Sequence, residues 1–456
     1  MSAVDNNLDT LEYRVALVDS PWPLVLATAG PKSYHLPRVR IPKWTRPAEG
    51  INDALRRDWK LNSLVLTILY TGDERPACAV AETLPSAEAS FPANLTLKDI
   101  EQLSELELDL SERLSIRTMI AGDASTEGPF SRRGWIKEAQ AWIRESVSDP
   151  AIEFSGDFRQ YNASGTFALL RMGTTDARAY WLKATGEPNR HECALTGELS
   201  RLFPERLPRL IAIREDWNAW LTEDAGQSLG DTQDLELLTL AVEALADFQI
   251  QSLDHIAHLR AAGCMDRSLS RVQSNLRELF RFLEEAMRLQ VSTKVTPVPP
   301  ARLREIERIV GEACIRMQEL CIPCCLVNGD INLHNILFDG RQCRFTDWAE
   351  GGIGNPFLTL QQFIQHVVRE GEHLDWAPFL CSAFKKKWLA VLEEHQIDRA
   401  LSLMPLLTIA DYLNGRGDWL NSQRRNQPRF QSFARTLARC MDRAAAELVS
   451  TEVPRV

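Results

Sequence analysis

The feature that most restricts this chain is a short polar interruption between two apolar runs. Cys324-Cys325-Leu326-Val327 leads into Asn328-Gly329-Asp330, and Ile331-Asn332-Leu333-His334-Asn335 is followed at once by Ile336-Leu337-Phe338. Short apolar runs bounded by turn signals read as buried strands. A surface turn accounts for Gly329 and Asp330. It does not account for His334 and Asn335 set against a second strand. Asp339-Gly340 is a hairpin signal, so Ile336-Leu337-Phe338 is expected to fold back onto Cys343-Arg344-Phe345-Thr346. The two ends of a hairpin lie close together. Asp347, just past the return strand, is therefore expected beside Asn335, and Asp330 shares the loop of Asn335.

Those three residues suit one chemistry. Hard cations take oxygen ligands, and Mg²⁺ is held by one or two carboxylates together with phosphate oxygens. Asn335 and Asp347 offer such oxygens. Asp330, not needed for the metal, can accept a proton from a substrate hydroxyl. This is the layout of phosphoryl transfer, in which positioning and charge neutralisation supply most of the catalysis. No G-x-x-x-x-G-K-[ST] stretch is present, which argues against a P-loop enzyme.

The rest of the chain supplies the frame. Its 456 residues predict two to three domains. Residues 1–130 read as an α+β unit. Tyr13–Val18 and Pro23–Thr28 are strand-like around a turn at Asp19-Ser20-Pro21, and a short helix is expected over Gly50–Leu61. Ser63–Tyr70 and Ala77–Ala81 suggest a hairpin around Gly72-Asp73. Pro85–Leu108 is polar and helix-compatible, and Ala121–Gly128 has the composition of a linker. The order of elements loosely resembles a Nudix domain, but the 50–61 helix lacks the glutamates that such a site needs. A scaffold or substrate-capping role is the expectation for 1–130.

Residues 131–226 start with an amphipathic helix over Gly134–Ser146, whose apolar residues fall at helical spacing. Strands are expected at Phe167–Met172, Ala179–Thr185, Leu207–Ile213 and from Asn218, with a helix over Glu192–Leu202. Residues 227–456 are expected to be mainly helical, interrupted by the opening stretch and by Cys343–Asp347. The fold class is thus α+β: a small β-rich lobe and a large helical lobe, preceded by an α+β domain, with a cleft between lobes as the natural ligand site.

Here a resemblance emerges. Asn328-Gly-Asp-Ile-Asn-Leu-His-Asn335 resembles the H-G-D-x-x-x-x-N loop of the aminoglycoside phosphotransferase and choline kinase family, which has the protein-kinase-like fold. Asp347-Trp-Ala-Glu350 resembles that family's metal-binding segment, and Gly352–Leu360 the G-x-P-F-x-x-L stretch after it. The likeness spans Gly134 to Arg443. It implies ATP and Mg²⁺ as cofactors, Asp330 as catalytic base, and Asn335 and Asp347 as metal ligands. It also implies that Lys183 holds the α/β-phosphates and pairs with Glu192, or failing that with Glu198. Asn162 and Ser164 fall in the phosphate-covering loop, and Glu223 and Asp224 in the hinge that receives the adenine. Glu350 and Asp418 are candidate contacts to a small-molecule acceptor. Where the family carries His, this chain has Asn328. An amide both donates and accepts as an imidazole does. The difference also keeps open a nucleotide-binding regulatory module with little or no transfer activity.

Composition excludes other classes. A net charge of −10 is not that of a nucleic-acid binder. The polar, acidic N-terminus lacks the pattern of a signal peptide. No apolar run approaches the ~18 residues that a membrane span requires. A cytoplasmic protein is expected. Its ten cysteines are scattered, and those around Cys321-Ile-Pro-Cys324-Cys325 read as small buried hydrophobes, because no second C-x-x-C completes a zinc site.

Overall fold

A computed structural model describes residues 10–19, 22–30, 33–70, 75–84, 95–121, 128–371, 374–417 and 419–452. Ser20-Pro21, Gly72-Asp73, most of the 121–128 linker and Asp418 lie outside the described residues. The chain divides into two units: residues 1–193 with 209–224, and residues 194–208 with 225–456.

The first unit holds two sheets. Its opening strands are β1 (Thr10–Val18), β2 (Leu24–Ala29), β3 (Tyr34–His35) and β4 (Arg38–Pro42). Helix α1 (Pro47–Trp59) follows, then β5 (Ser63–Leu69), β6 (Cys78–Thr83) and β7 (Leu95–Asp99). The order is β3-β2-β1-β6-β5, with β4 paired to β1 and β7 to β2. β5 and β6 pair antiparallel, as the expected hairpin requires, and β6 runs parallel to β1. Helix α1 starts at Pro47, three residues before the expected Gly50, because proline is suited to the first helical position. It ends at Lys60 in the left-handed conformation, φ 54°. Within the helix-compatible stretch Pro85–Leu108, residues 95–99 form strand β7 instead, since its backbone completes the exposed edge of β2.

Helix α2 (Leu110–Ala121) and helix α3 (Trp135–Ser146) come next. Trp135, Ile136, Ala139 and Ile143 are buried on one face of α3. Trp135 meets Phe130 edge-on at 4.9 Å, and Phe130 meets Trp217 at 5.4 Å. The second sheet comprises β8 (Phe154–Ala163), β9 (Ala168–Thr174) and β10 (Ala179–Ala184). Helix α4 (His191–Leu202) begins in this unit and continues into the second. After it come β11 (Leu210–Arg214) and β12 (Ala219–Glu223), giving the order β11-β12-β10-β9-β8. One apolar core runs through both sheets, from Ala16 and Val80 to Leu170 and Leu182.

The second unit is largely helical. It contains β13 (Gln227–Ser228), α5 (Leu235–Gln251), α6 (Ile256–Ala261), β14 (Met265–Arg267), α7 (Leu269–Arg288) and α8 (Pro300–Glu319). The strands β15 (Cys325–Asn328), β16 (Ile336–Phe338), β17 (Cys343–Phe345) and β18 (Gly351–Gly354) follow. Helices α9 (Pro356–Gly371), α10 (Ala377–Trp388), α11 (Glu394–Arg416), α12 (Ser422–Arg425) and α13 (Pro428–Glu452) complete it. The expected hairpin forms: Ile336 pairs with Phe345 and Phe338 with Cys343. β13 adds a third strand along β16.

Of the strands in the second unit, β13, β14 and β18 were not expected. β14 and the glycine-rich β18 pair with each other, and β18 also pairs with β15. Glycines are poor strand formers unless a neighbour must come close. That is the case here, where a Cβ on Gly352 would sit 2.7 Å from the Arg267 side chain. The cysteine expectation is corrected as well. Cys325 is buried on β15, but Cys321 and Cys324 are exposed, since both precede the strand in the turn after α8.

Candidate active site

In the second unit, Asn328 closes β15 and is 2% exposed. Its Oδ1 accepts the amide of Asp330 at 2.9 Å, and its Nδ2 donates to the Asp347 carbonyl at 2.9 Å. Its own N–H donates to Thr359 Oγ1 on α9 at 3.2 Å. One buried side chain therefore fixes both the loop that carries Asp330 and the segment that carries Asp347.

Asn335 ends a short 3₁₀ turn, Leu333–Asn335. Its carbonyl accepts Thr346 N–H at 2.9 Å and the Thr346 hydroxyl at 3.1 Å, which ties the two ends of the hairpin together. Its Nδ2 reaches the Asp330 carbonyl at 3.4 Å. Gly329 N–H donates to the Glu350 carbonyl at 3.0 Å. Asp330 itself is exposed, and Asp347 and Asn335 are half-buried. Asp347 has φ 61°, a left-handed conformation that few non-glycine residues adopt and that Asp and Asn tolerate best. His334 lies over Gly230, whose absent Cβ would fall 2.0 Å from the ring.

In the first unit, Lys183 on β10 donates to Glu192 Oε1 of α4 at 2.5 Å. Glu192 is 1% exposed and the lysine 19%. The lysine also lies 5.6 Å from the Trp220 ring centroid. Glu198 instead pairs with Arg201 at 2.7 Å on an open helix face.

The β8–β9 turn holds Ser164, whereas Asn162 lies on β8 itself, where it pairs with Leu169 instead of falling in the loop. The Ser164 hydroxyl accepts Phe167 N–H at 3.0 Å, while Asn162 is exposed. The turn is anchored from outside, because the Gly165 carbonyl accepts Phe130 N–H at 3.2 Å. At the end of β12, Glu223 pairs with Arg209 at 2.6 Å and Asp224 with Arg171 at 2.9 Å. Their amides donate to the Arg209 and Ala179 carbonyls, so both are engaged inside the sheet.

The donor set beside the hairpin is oxygen-based: one carboxylate and one amide. Among the described residues no group of three or more His, Cys, Asp or Glu side chains could hold a metal ion. A hard divalent cation bound by two protein oxygens, with phosphate completing its shell, fits such a set.

Arg267, Thr346 and Thr359 also hold these loops and were not found by sequence reasoning. Arg267 donates to Glu350 at 3.2 Å and to Asp411 at 2.6 Å from a fully buried position. The signal that could have exposed it is the glycine density at 351–354, which marks a close approach.

No protein-family model and no curated protein matches the chain. Several solved structures are similar to it. An ethanolamine kinase of Plasmodium vivax is 14% identical, covering 73% of this chain and 95% of that one, with a TM-score of 0.46. A choline kinase of Cryptosporidium parvum is 13% identical, covering 70% and 98%, with a TM-score of 0.46. An aminoglycoside phosphotransferase of Alicyclobacillus acidocaldarius is 12% identical, covering 67% and 95%, with a TM-score of 0.41. Likeness at this level assigns no residue a role. These three solved structures are of small-molecule kinases and phosphotransferases.

Proposed function

We propose that this chain is an ATP- and Mg²⁺-dependent phosphotransferase acting on a hydroxyl of a small molecule, an amino alcohol, a sugar or an aminoglycoside-like compound. The observation that carries the reading is the bridge made by Asn328. A single buried amide holds an exposed carboxylate, Asp330, in fixed relation to a second acid, Asp347, with Asn335 tied to the same hairpin.

Asp330 accepts the proton of the acceptor hydroxyl as the oxygen attacks. Asn335 and Asp347 hold the cation, which when bound neutralises charge on the phosphates. Lys183, oriented by Glu192, contacts the nucleotide phosphates. Asn162 and Ser164 cover them, and the Glu223–Asp224 segment receives the base. The division into 1–130, 131–226 and 227–456, with the first part as a scaffold, belongs to the same reading. So does a cytoplasmic setting. All ten cysteines are free thiols, as suits a reducing compartment.

The test is ATP turnover over a panel of hydroxylated amines and sugars, with Asp330→Asn as control. The reading expects turnover with at least one acceptor, its loss in the variant, and nucleotide binding retained in both. If the wild-type protein binds Mg·ATP and phosphorylates none of the panel, the reading fails.

A further inference from the structure

Four glycines of the second unit converge on one arginine. A Cβ on Gly329 would lie 1.8 Å from Arg267 Nη1, and one on Gly415 would lie 2.7 Å from Nη2. On Gly352 it would meet Cγ and Cδ at 2.7 Å, and on Gly354 the Arg267 carbonyl at 2.7 Å. The arginine is 2% exposed and its two carboxylate partners, Glu350 and Asp411, are 19% and 0% exposed.

Burying a guanidinium with two carboxylates is costly, and well-packed apolar groups of similar volume are often as stable. Space-filling alone therefore does not explain the arrangement. What an apolar side chain cannot do is form directed bonds to two separate segments from one flat group. Here the plane lies beneath Gly329, next to Asp330. Nη1 reaches Glu350, three residues past Asp347, and Nη2 reaches Asp411 on α11.

We infer that Arg267 is a positioning residue, which braces the Asp330 loop and the Asp347–Glu350 segment against α11. Glu350 is the outer end of this brace rather than a group reserved for an acceptor. The functional consequence rests on the phosphotransferase reading, whereas the bracing itself does not.

Two readouts separate the two claims. The variants are Arg267→Lys, Arg267→Met combined with Asp411→Asn (so that no lone buried carboxylate remains), and Gly415→Ala, which crowds the guanidinium from the α11 side only. Hydrogen exchange should quicken in peptides covering 326–335 and 347–351 in the double variant and in Gly415→Ala, and less so in Arg267→Lys. Mn²⁺ affinity in the presence of ADP should fall about tenfold or more, as for other residues that orient metal ligands, while metal-free ADP binding stays within about twofold. A role limited to overall stability would lower the melting temperature without moving Mn²⁺ affinity in the folded protein. Unchanged exchange in those peptides overturns the bracing role. Altered exchange with unchanged Mn²⁺ affinity overturns its link to the metal site. Absence of Mn·ADP binding in the wild type counts against the phosphotransferase reading, and exchange still decides the brace.

Discussion

Asn328 Nδ2 donates to the Asp347 carbonyl at 2.9 Å across nineteen residues of chain, and Asn328 Oδ1 accepts the Asp330 amide at the same distance. The residue that departs from the resembled family's pattern is thus the one that joins the two acidic segments. An imidazole donates through one nitrogen and accepts through the other, and an amide has the same pair of functions.

Asn328→Ala should therefore lower stability by on the order of 1–3 kcal/mol, the cost of leaving buried polar partners unmet. It should also lower turnover sharply, because both loops lose their common tie. Asn328→Asp keeps the acceptor for the Asp330 amide but sets a carboxylate against the Asp347 carbonyl. It should be the worse of the two for turnover. Urea unfolding and steady-state rates on the same preparations check this.

Lys183 and Glu192 form a pair in which the acid is almost wholly buried. Lys183→Met leaves that carboxylate without its lysine, at a cost on the order of 3–5 kcal/mol. Lys183→Met with Glu192→Gln should recover most of the stability and none of the nucleotide affinity. A double-mutant cycle read by thermal melts and ATP titration distinguishes the two effects.

How much of this was legible beforehand depended on range. The hairpin Ile336–Phe345 followed from local signals: short apolar runs on either side of an Asp-Gly turn. The nearness of Asn335 and Asp347 followed from it. The amphipathic face of α3 and the Lys183 strand were local as well. The brace by Arg267 was not, because its partners lie 83 and 144 residues away and no periodicity reports such contacts. Strand β7 was missed because pairing with β2 overrides a weak local preference. The exposure of Cys321 and Cys324 was missed because composition does not tell a buried position beside a strand from an open one in the turn before it.

Asp347 holds φ 61°, which costs most L-residues roughly 1–2 kcal/mol and glycine little. Asp347→Asn and Asp347→Gly should stay near wild-type stability, whereas Asp347→Ala should fall by about 1 kcal/mol. All three should lose Mg²⁺-dependent activity. Equal stability of the alanine and glycine variants would contradict the geometry.

Thiol reactivity should sort the cysteines. Burial pushes Cys78 and Cys314 up to about 12, so at pH 8 only about one in ten thousand of each is thiolate. Cys321 is exposed. Reaction with a thiol reagent at pH 8, followed by peptide mapping, should mark Cys321 first and leave Cys78 and Cys314 unmodified until the protein unfolds. Raising the pH towards 9 should not bring those two into reach.

The most direct measurement is phosphoryl transfer from ATP to a hydroxylated acceptor by wild-type protein and by Asp330→Asn, alongside nucleotide binding to both. The account expects Mg²⁺-dependent transfer that falls by several orders of magnitude in the variant, with nucleotide affinity little changed. Equal transfer by the two proteins, or tight Mg·ATP binding with no transfer to any acceptor, would contradict it.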